Sequence, residues 1–286
     1  MYLTVDIGGT KTFIALFDAR GRIVKSDKFP TDHNLDVFLD TFFEHLQHFR
    51  DFCVQLQNSS NASSSPTAPD TCAVIRCAVI AIAGIVKDNR PTRFGNLPWQ
   101  NPPLGKTIKN LFNCPIFFLN DADAACFYES NFYTGKSIYL TFSTGIGGGI
   151  ATTKMTLDSA SATFEPGHKK YNFNGKLLEW EDFAAASAIK KAYGNRDVTS
   201  LSGKSTYLDI ALRVSAGLVD IINDYHPDTV IIGGPLSLNL KKWRQPLKII
   251  LKSNLKTGQK LPKIRRAKRP NLCVSYGAYL YGKAAS

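Results

Sequence analysis

The residues with the clearest chemical potential are Asn120 and Asp121, which follow an apolar run at 116–119. The run predicts a buried strand, and the small residues after it predict a helix. A carboxylate at the end of a buried strand is costly unless it has a partner or a task. One hypothesis makes Asp121 a general base that takes the proton of a substrate hydroxyl as a phosphoryl group arrives. The alternative, which the local sequence taken alone favours, is that Asn120 and Asp121 cap the helix.

Two glycine-rich turns between strand-like segments are candidate anion sites. The first lies at 8–12, where glycines let backbone N–H groups converge and where Thr10 and Lys11 add donors. The second lies at 143–149 and has the same design. Neither turn has the P-loop pattern or the dinucleotide-binding pattern. The occurrence of two such hairpins in one chain indicates two duplicated units that face a shared ligand.

Other polar residues are of the kind that bind a polyol. Asn96 lies in a loop at 95–99, and Glu165 and His168 lie in a second polar loop. Carboxylates at 179–182 then open a predicted helix at 183–192. Carboxylate, amide and imidazole groups hydrogen-bond sugar hydroxyls, but carboxylates at a helix start also complement its macrodipole. The local sequence favours neither interpretation over the other.

The segments between these residues are predicted to form strands and helices. Apolar spacing predicts helices at 37–56 and 207–225, and a strand at 229–232 that ends in the pair 233–234. A strand, a glycine pair and a helix in this order let a flat or charged ligand approach the backbone. Residues 57–71, rich in Ser, Asn, Pro and Ala, predict a surface loop.

The composition narrows the class of protein. A chain of 286 residues, with 44% hydrophobic and 20% charged residues, is long enough for two globular domains. The N-terminus has no signal-peptide pattern and no run is long enough to span a membrane, which predicts a cytoplasmic protein. The six cysteines form no CxxC pair, so we expect reduced, buried thiols and neither disulfides nor a zinc site.

The net charge of +12 is concentrated near the C-terminus. From residue 229 onward the chain has no acidic residue, and lysine and arginine accumulate between 241 and 269, a stretch called here the cationic segment. It contains Lys241, Lys242, Arg244, Lys248, Lys252, Lys256, Lys260, Lys263, Arg265, Arg266, Lys268 and Arg269. Such a segment attracts polyanions or, alternatively, forms a solvated face that keeps the protein in solution.

Several motifs, in one order along nearly the whole chain, resemble those of the ROK family of sugar kinases, a branch of the actin and hexokinase superfamily. The motifs are DIGGTKT at 6–12, LNDADAA at 119–125, TGIGGG at 144–149, EPGH at 165–168, WED at 180–182 and IGG at 232–234. Several motifs in one order are more specific than any one of them.

The resemblance implies an α/β fold of two actin-like, ribonuclease H-like domains with an inter-domain cleft. It implies an N-terminal domain at 1–119, with the C-terminal helix at about 274–286 packed back on it, and a C-terminal domain at 120–273. The implied reaction transfers the γ-phosphoryl group of ATP, with Mg²⁺, to the 6-hydroxyl of a hexose, and glucose is the first candidate. The implied partners are the hexose, the nucleotide and a second copy of the chain in a homodimer. Neither nucleic acid nor a membrane is expected as a partner.

The resemblance also implies a role for each motif residue. Asp121 would be the general base. The implied sugar ligands are Asn96, Asn120, Glu165, His168 and Glu181. The implied nucleotide and phosphate ligands are Asp6, Gly8, Gly9, Thr10, Lys11, Thr12, Thr144, Gly145, Gly147, Gly148, Gly233 and Gly234. Asp6 would also be a candidate magnesium ligand. Glu181 fits the family position better than Glu179, because the segment after Glu181 aligns without a gap.

Four departures from the family pattern qualify these expectations. Residues 169–180 contain no cysteine, whereas many relatives have a zinc loop there, so zinc is not expected and packing must hold this loop. Asp123 replaces the usual Asn and adds a charge near the presumed base, which would raise the pKa of Asp121 or help hold magnesium. Ala185 and Ala186 replace a common Ser-Gly pair, which leaves the shape of the sugar-side helix open. No helix-turn-helix segment precedes Met1, so the repressors of the family are a poor model.

The alternatives that stay open are of two kinds. One is a kinase of the same family that uses polyphosphate, or that acts on an N-acetylhexosamine or mannose. The other is a non-catalytic sugar-binding sensor, to which the departures near Asp123 and Ala185 point.

Overall fold

The computed structural model describes residues 1–60 and 75–286 of the chain. Its strands are β1 (Tyr2–Ile7), β2 (Lys11–Phe17), β3 (Ile23–Pro30), β4 (Cys77–Ile82), β5 (Ile85–Lys87), β6 (Arg90–Arg93), β7 (Ile116–Asn120), β8 (Ser137–Phe142), β9 (Ile146–Thr153), β10 (Thr156–Leu157), β11 (Lys170–Phe173), β12 (Lys176–Glu179), β13 (Thr229–Gly233) and β14 (Lys263–Arg266). Its helices are α1 (Leu35–Ser60), α2 (Leu104–Phe112), α3 (Asp121–Ser130), α4 (Trp180–Ala184), α5 (Ala186–Ala192), α6 (Lys204–Tyr225), α7 (Leu240–Asn254) and α8 (Cys273–Ala285). Short 3₁₀ turns cover Ser159–Thr163, Pro166–His168 and Pro235–Asn239.

The chain divides into two compact units. Unit 1 comprises Met1–Ala124 and Val274–Ser286, and unit 2 comprises Ala125–Cys273. Residues 57–60 of the surface loop predicted at 57–71 belong to helix α1. The rest of that predicted loop lies outside the described residues. Among the residues that the structure describes, no helix has both the length and the apolar character of a membrane span.

Unit 1 is built on a five-stranded sheet in the order β3-β2-β1-β4-β7. Strands β1, β2 and β3 pair antiparallel, whereas β4 runs parallel to both β1 and β7. Every residue of β4 is buried, as its continuous apolar run predicts for a central strand with both faces covered. One apolar cluster joins the sheet to α1 and α2, and another joins it to α8 through residues such as Phe17 and Tyr279.

Unit 2 repeats this arrangement. Its sheet has the order β10-β9-β8-β13-β14, with β8, β9 and β10 antiparallel and with β13 parallel to both β8 and β14. Its single apolar cluster packs α4, α6 and α7 against the sheet, and Trp180 and Trp243 are its largest fully buried side chains. In both units the glycine-rich turn joins the central strand to its antiparallel neighbour, between β1 and β2 and between β8 and β9.

The single helix predicted at 183–192 is wrong in one respect. Two helices, α4 and α5, meet at Ala185, whose backbone is extended (φ −61°, ψ 154°). The break turns the first residues of α5 toward the second glycine turn, because Ser187 donates its backbone N–H to Ser143 O and its hydroxyl to Thr144 O. The bond from Ser187 N–H takes the place of the bond that this group would make inside a continuous helix.

Candidate active site

Asn120 and Asp121 stand at the junction of β7 and α3. The side-chain oxygen of Asn120 accepts the backbone N–H of Asp123 at 3.0 Å, which is the bond of a helix cap. Its amide nitrogen donates to Gly84 O at 2.7 Å, and its second amide N–H has no hydrogen-bond partner among residues 1–60 and 75–286. Asp121 is half-buried, and its carboxylate accepts the backbone N–H of Ala122 at 2.8 Å. Asn120 therefore has the capping role, and the carboxylate of Asp121 is held in a fixed orientation beside it.

Asp6 lies at the same edge of the sheet as Asp121. The register pairs Asp6 with Ala81 of β4, and Ala81 with Leu119 of β7, so the carboxyl ends of three parallel strands meet there. In open α/β sheets this edge is where ligands bind. Loss of hydration, followed by the negative charge of Asp121, raises the pKa of Asp6 to about 7, and Lys28 opposes the rise. Asp6 and Asp121 are thus close enough at this edge for the charge of Asp121 to raise the pKa of Asp6.

The first glycine turn is closed by a backbone bond from Gly8 N to Lys11 O at 3.0 Å. A Cβ atom at Gly9 would meet no atom of the described residues within 4 Å, so the space over the turn is open. Thr10 and Lys11 are exposed, whereas Thr12 is buried and its hydroxyl shares a 2.9 Å hydrogen bond with that of Thr31. The turn presents Gly9, Thr10 and Lys11, and Thr12 anchors it to the end of β3.

Asn96 is connected to this edge of unit 1 through close backbone contacts. A Cβ atom at Gly84 would lie 2.0 Å from Arg93 O, and one at Gly95, whose φ is +52°, would lie 2.5 Å from Ala83 O. Glycine at both positions lets the loop of Asn96 approach the end of β4, where Gly84 O accepts the amide of Asn120. Asn96 itself is exposed.

The second glycine turn surrounds the carboxylate of Glu181. Oε2 of Glu181 accepts the backbone N–H of Ile146 at 3.1 Å. A Cβ atom at either Gly145 or Gly167 would lie 2.6 Å from that oxygen, so both glycines make room for it. A cavity of about 260 Å³ opens beside the turn and is lined by Thr144, Glu181, Asp182, Ser187, Ala188 and Lys191. Within unit 2, the structure thus brings a predicted phosphate ligand and a predicted sugar ligand to one cavity.

His168 faces two carboxylates from the start of α4. Its Nδ1 atom lies 2.9 Å from Oε2 of Glu179 and 3.9 Å from Oε1 of Glu181. The hydrogen bond to Glu179 raises the pKa of His168 above its usual value, partial burial opposes the rise, and the charges of Glu181 and Glu165 add to it. The donor atoms of His168, Glu179 and Glu181 lie within 4.8 Å of one another, a spacing that would suit a metal ion.

Glu165 is not brought to the cavity of Glu181. It is exposed and lines a different cavity of about 190 Å³, together with Lys169, Tyr171, Asp220 and Asp224 among others. Lys169 forms a 2.7 Å ion pair with Asp220 there. The sugar role of Glu165 therefore stays a prediction from the family motif.

Three of the motif glycines have packing reasons of their own. A Cβ atom at Gly148 would lie 2.5 Å from the Phe164 ring, and one at Gly233 would overlap with the Tyr139 hydroxyl. At Gly234, φ is +70° and a Cβ atom would lie 2.3 Å from Phe142 O. Glycine is required at these positions by the sheet of unit 2, and their nucleotide roles stay predictions.

Sequence reasoning missed Glu179, Ser187 and Lys191. Glu179 was set aside in favour of Glu181, although its place three residues before Asp182 is the spacing of a capping box, and Asp182 does accept its backbone N–H at 3.1 Å. Ser187 and Lys191 reach the cavity because Ala185 breaks the predicted helix, a feature that no local pattern indicates.

The two units offer different sets of chemical groups. Unit 1 offers an oriented carboxylate (Asp121), a second carboxyl group with a raised pKa (Asp6) and an open glycine turn. Unit 2 offers a cavity with hydroxyl, carboxylate and ammonium groups, and a histidine held by carboxylates. The first set suits proton abstraction and cation binding, and the second suits the binding of hydroxyl groups and anions.

Comparison with known proteins identifies the fold and the family of this chain. A solved structure described as a ROK family glucokinase from Streptomyces griseus, in complex with glucose and AMPPNP, superimposes with a TM-score of 0.74 at 21% sequence identity, and 99% of each chain is covered. The fold is therefore the actin-like α/β fold, as predicted. The model of the ROK family matches residues 2–280, and the chain belongs to the ROK family.

Relatives in this family have different activities. The glucokinase of Streptomyces coelicolor is 26% identical over 277 residues, which cover 82% of this chain and 81% of that protein. The xylose repressor of Bacillus subtilis is 25% identical over 178 residues, which cover 54% of this chain and 46% of the repressor. The matched relatives therefore include both a sugar kinase and a repressor.

Proposed function

We propose that the protein is an ATP-dependent hexose kinase that transfers the γ-phosphoryl group to the 6-hydroxyl of its sugar, with glucose as the first candidate. The observation that carries the proposal is the pair of carboxyl groups, Asp6 and Asp121, at the carboxyl edge of the parallel strands beside the open turn at Gly9. A repressor that only binds a sugar has no need of an oriented carboxylate next to a second carboxyl group whose pKa is about 7.

Asp121 is the general base in this proposal. Its carboxylate accepts the N–H of Ala122 through Oδ1, which fixes the orientation of the group. The sugar hydroxyl gives its proton to this carboxylate as the oxygen bonds to phosphorus and the bond to the leaving diphosphate breaks. Asn120 keeps Asp121 in place through the cap on Asp123 and can donate its remaining amide N–H to the sugar.

The carboxyl groups of unit 1 fit a magnesium ion. Mg²⁺ prefers carboxylate oxygens, and the raised pKa of Asp6 marks a carboxyl group that a nearby cation would return to the ionised form. Asp6 is the residue that would hold the ion, directly or through water. When bound, magnesium neutralises charge on the phosphates. The open space over Gly9, with the exposed side chains of Thr10 and Lys11, fits a phosphate group.

Glu181 and His168 are the proposed sugar ligands of unit 2. Oε2 of Glu181 is occupied by Ile146 N–H, and the carboxylate still lines the cavity beside Thr144. A carboxylate fixed in this way can accept hydrogen bonds from sugar hydroxyls without losing side-chain entropy on binding.

The test is an ADP-release assay with ATP and a panel of glucose, mannose, N-acetylglucosamine, N-acetylmannosamine and xylose. We expect sugar-dependent ADP release that is greatest with one hexose, and phosphorylation at O6 shown by NMR of the product. Binding of a sugar without ADP release for every member of the panel would contradict the proposal and would favour the sensor.

A second candidate, polyphosphate as the donor, is favoured by the cationic segment. Lys241, Lys252 and Lys256 are among its exposed members, and no ion pair to an acidic group is seen for them in the described part of the chain. The same assay with polyphosphate in place of ATP, read as sugar phosphate formed, measures this activity.

A further inference from the structure

His168 and Glu179 are held by separate parts of unit 2 and meet at one hydrogen bond. On the side of His168, Pro166 and Gly167 are buried, and a Cβ atom at Gly167 would lie 2.5 Å from Ile146 O. The backbone before the histidine is thus fixed against β9. The imidazole ring can still rotate about its side-chain bonds unless another group holds it.

Glu179 is fixed by Trp180 and by the β11–β12 hairpin. Trp180 is fully buried, its indole N–H donates to Arg213 O at 3.0 Å, and its ring occupies the space where a Cβ atom at Gly217 would lie. The hairpin pairs Lys170 with Glu179, and Trp180 N–H donates to Lys169 O at 2.9 Å. The chain that leaves His168 therefore returns beside it at Glu179.

The hydrogen bond between the two side chains selects one ring nitrogen. Oε2 of Glu179 lies 2.9 Å from Nδ1 of His168, whereas the nearest oxygen of Glu181 lies 3.9 Å from the same atom. A carboxylate can only accept, so Nδ1 must carry a proton. In the described residues Nε2 has no hydrogen-bond partner, and the side chain is 47% exposed. Nε2 is therefore the atom available to a ligand.

We infer that Glu179 is a positioning residue that fixes the ring and the Nδ1–H form of His168, so that Nε2 is presented to a hydroxyl group of the substrate. The sugar-binding part of this inference rests on the proposed function, and the positioning part does not.

The charges around His168 agree with this role. Glu165, Glu179 and Glu181 all raise the pKa of His168, with the hydrogen bond to Glu179 as the largest cause. The same bond lowers the pKa of Glu179, and the neighbouring Lys170 adds to that effect. Lys169, the other cation next to His168 in the chain, is paired with Asp220.

The test combines NMR of histidine side chains with steady-state kinetics on Glu179→Gln. The chain has five histidines, so His168 can be assigned by its loss in His168→Gln. We expect Glu179→Gln to lower the pKa of His168 toward its usual value and to populate the Nε2–H form. We also expect the KM for the sugar to rise about tenfold with kcat changed less than about threefold, because a substrate hydrogen bond is lost while the base is untouched.

Asp27→Asn is the matched control. Asp27 accepts from Nδ1 of His45 at 2.6 Å in unit 1, so this change removes the carboxylate charge from the same kind of bond elsewhere. We expect it to leave both the titration of His168 and the KM unchanged.

Unchanged titration and tautomer of His168 in Glu179→Gln would overturn the inference whether or not the wild-type protein has kinase activity. A changed tautomer without a change in KM or in sugar affinity would overturn its substrate part. The inference would also be overturned if the wild-type protein retained a stoichiometric metal ion and showed the Nδ1–H signal of His168 only after EDTA had removed that ion. Absence of sugar phosphorylation by the wild-type protein contradicts the proposed function alone.

Discussion

At the scale of single residues, glycine serves two different purposes in this molecule. Gly145 and Gly167 leave room for the Glu181 carboxylate, and Gly148 and Gly233 leave room for aromatic rings. Gly9 leaves open space. Glycines that border empty space are the ones that a ligand can approach, whereas the others are required by the protein itself.

Replacement of Gly9 and Gly148 by alanine separates these purposes. Gly148→Ala places a Cβ atom 2.5 Å from the Phe164 ring, so we expect about 1–3 kcal/mol of destabilisation and a lower Tm. Gly9→Ala meets no atom, so we expect an unchanged Tm and a raised KM for ATP. Thermal unfolding and ATP kinetics of the two variants check this. An unchanged KM for ATP in Gly9→Ala would argue against a phosphate over this turn.

The candidate site was predictable from sequence where a residue follows a strand or lies in a glycine motif. Asn120 ends β7 and Asp121 begins α3, as the pattern predicted, whereas the glycine turn predicted at 8–12 covers only 8–10 because Lys11 and Thr12 belong to β2. The partner of His168 was not predictable, because the choice between Glu179 and Glu181 depends on the register of β11 and β12 and on the burial of Trp180. Both are tertiary features.

At the scale of elements, the parallel pairing of β1, β4 and β7 is what places Asp6 and Asp121 at one edge. The burial of this edge makes ionisation of Asp6 costly and raises its pKa to about 7. The pKa of a carboxyl group in an unfolded chain is near 3.9. The folded protein therefore binds one more proton than the unfolded chain between about pH 4 and pH 7, and stability falls as the pH rises through this range.

Asp6→Asn should remove this pH dependence. In the absence of nucleotide and metal, we expect Asp6→Asn to be more stable than the wild type at pH 8, by an amount on the order of a few kcal/mol, and equal to it near pH 4. Thermal melts at several pH values measure the difference. A Tm difference that is constant from pH 4 to pH 8 would contradict the shifted pKa of Asp6.

The elements themselves were largely predictable. The strand at 229–232 and the helix at 207–225 follow from apolar periodicity, and the structure confirms both, with the strand extended to residue 233 and the helix beginning at residue 204. The break at Ala185 was not predictable, because alanine favours a continuous helix. It arises from hydrogen bonds of Ser187 to the distant turn at 143–144.

At the scale of the whole molecule, a duplicated sheet order and an uneven charge distribution stand out. The cationic segment covers α7 and β14 of unit 2, and its end is fixed where Lys268 N–H donates to the buried carboxylate of Glu129 at 2.8 Å. Most of its lysines and arginines are exposed, as expected for a solvated face or a polyanion site.

Substitution of Lys241, Lys252 and Lys256 by glutamine tests the polyanion role. We expect weaker polyphosphate binding with a smaller salt dependence, and ATP-driven turnover within about twofold of wild type, because none of the three lines the cavity beside Thr144. The matched control substitutes the exposed Lys87, Lys106 and Lys109 of unit 1 with the same change in net charge. Equal loss of polyphosphate binding in both triple variants would show that only net charge matters.

The turnover of Asp121→Asn with ATP and the preferred hexose tests whether Asp121 is the general base. The variant keeps the size of the side chain but removes the base, so we expect kcat to fall by about 10²–10⁴, with sugar affinity by calorimetry within about threefold of wild type. Asp88→Asn is the control, since Asp88 is exposed and its left-handed backbone (φ 49°) suits asparagine. Near-wild-type turnover in Asp121→Asn would exclude Asp121 as the general base.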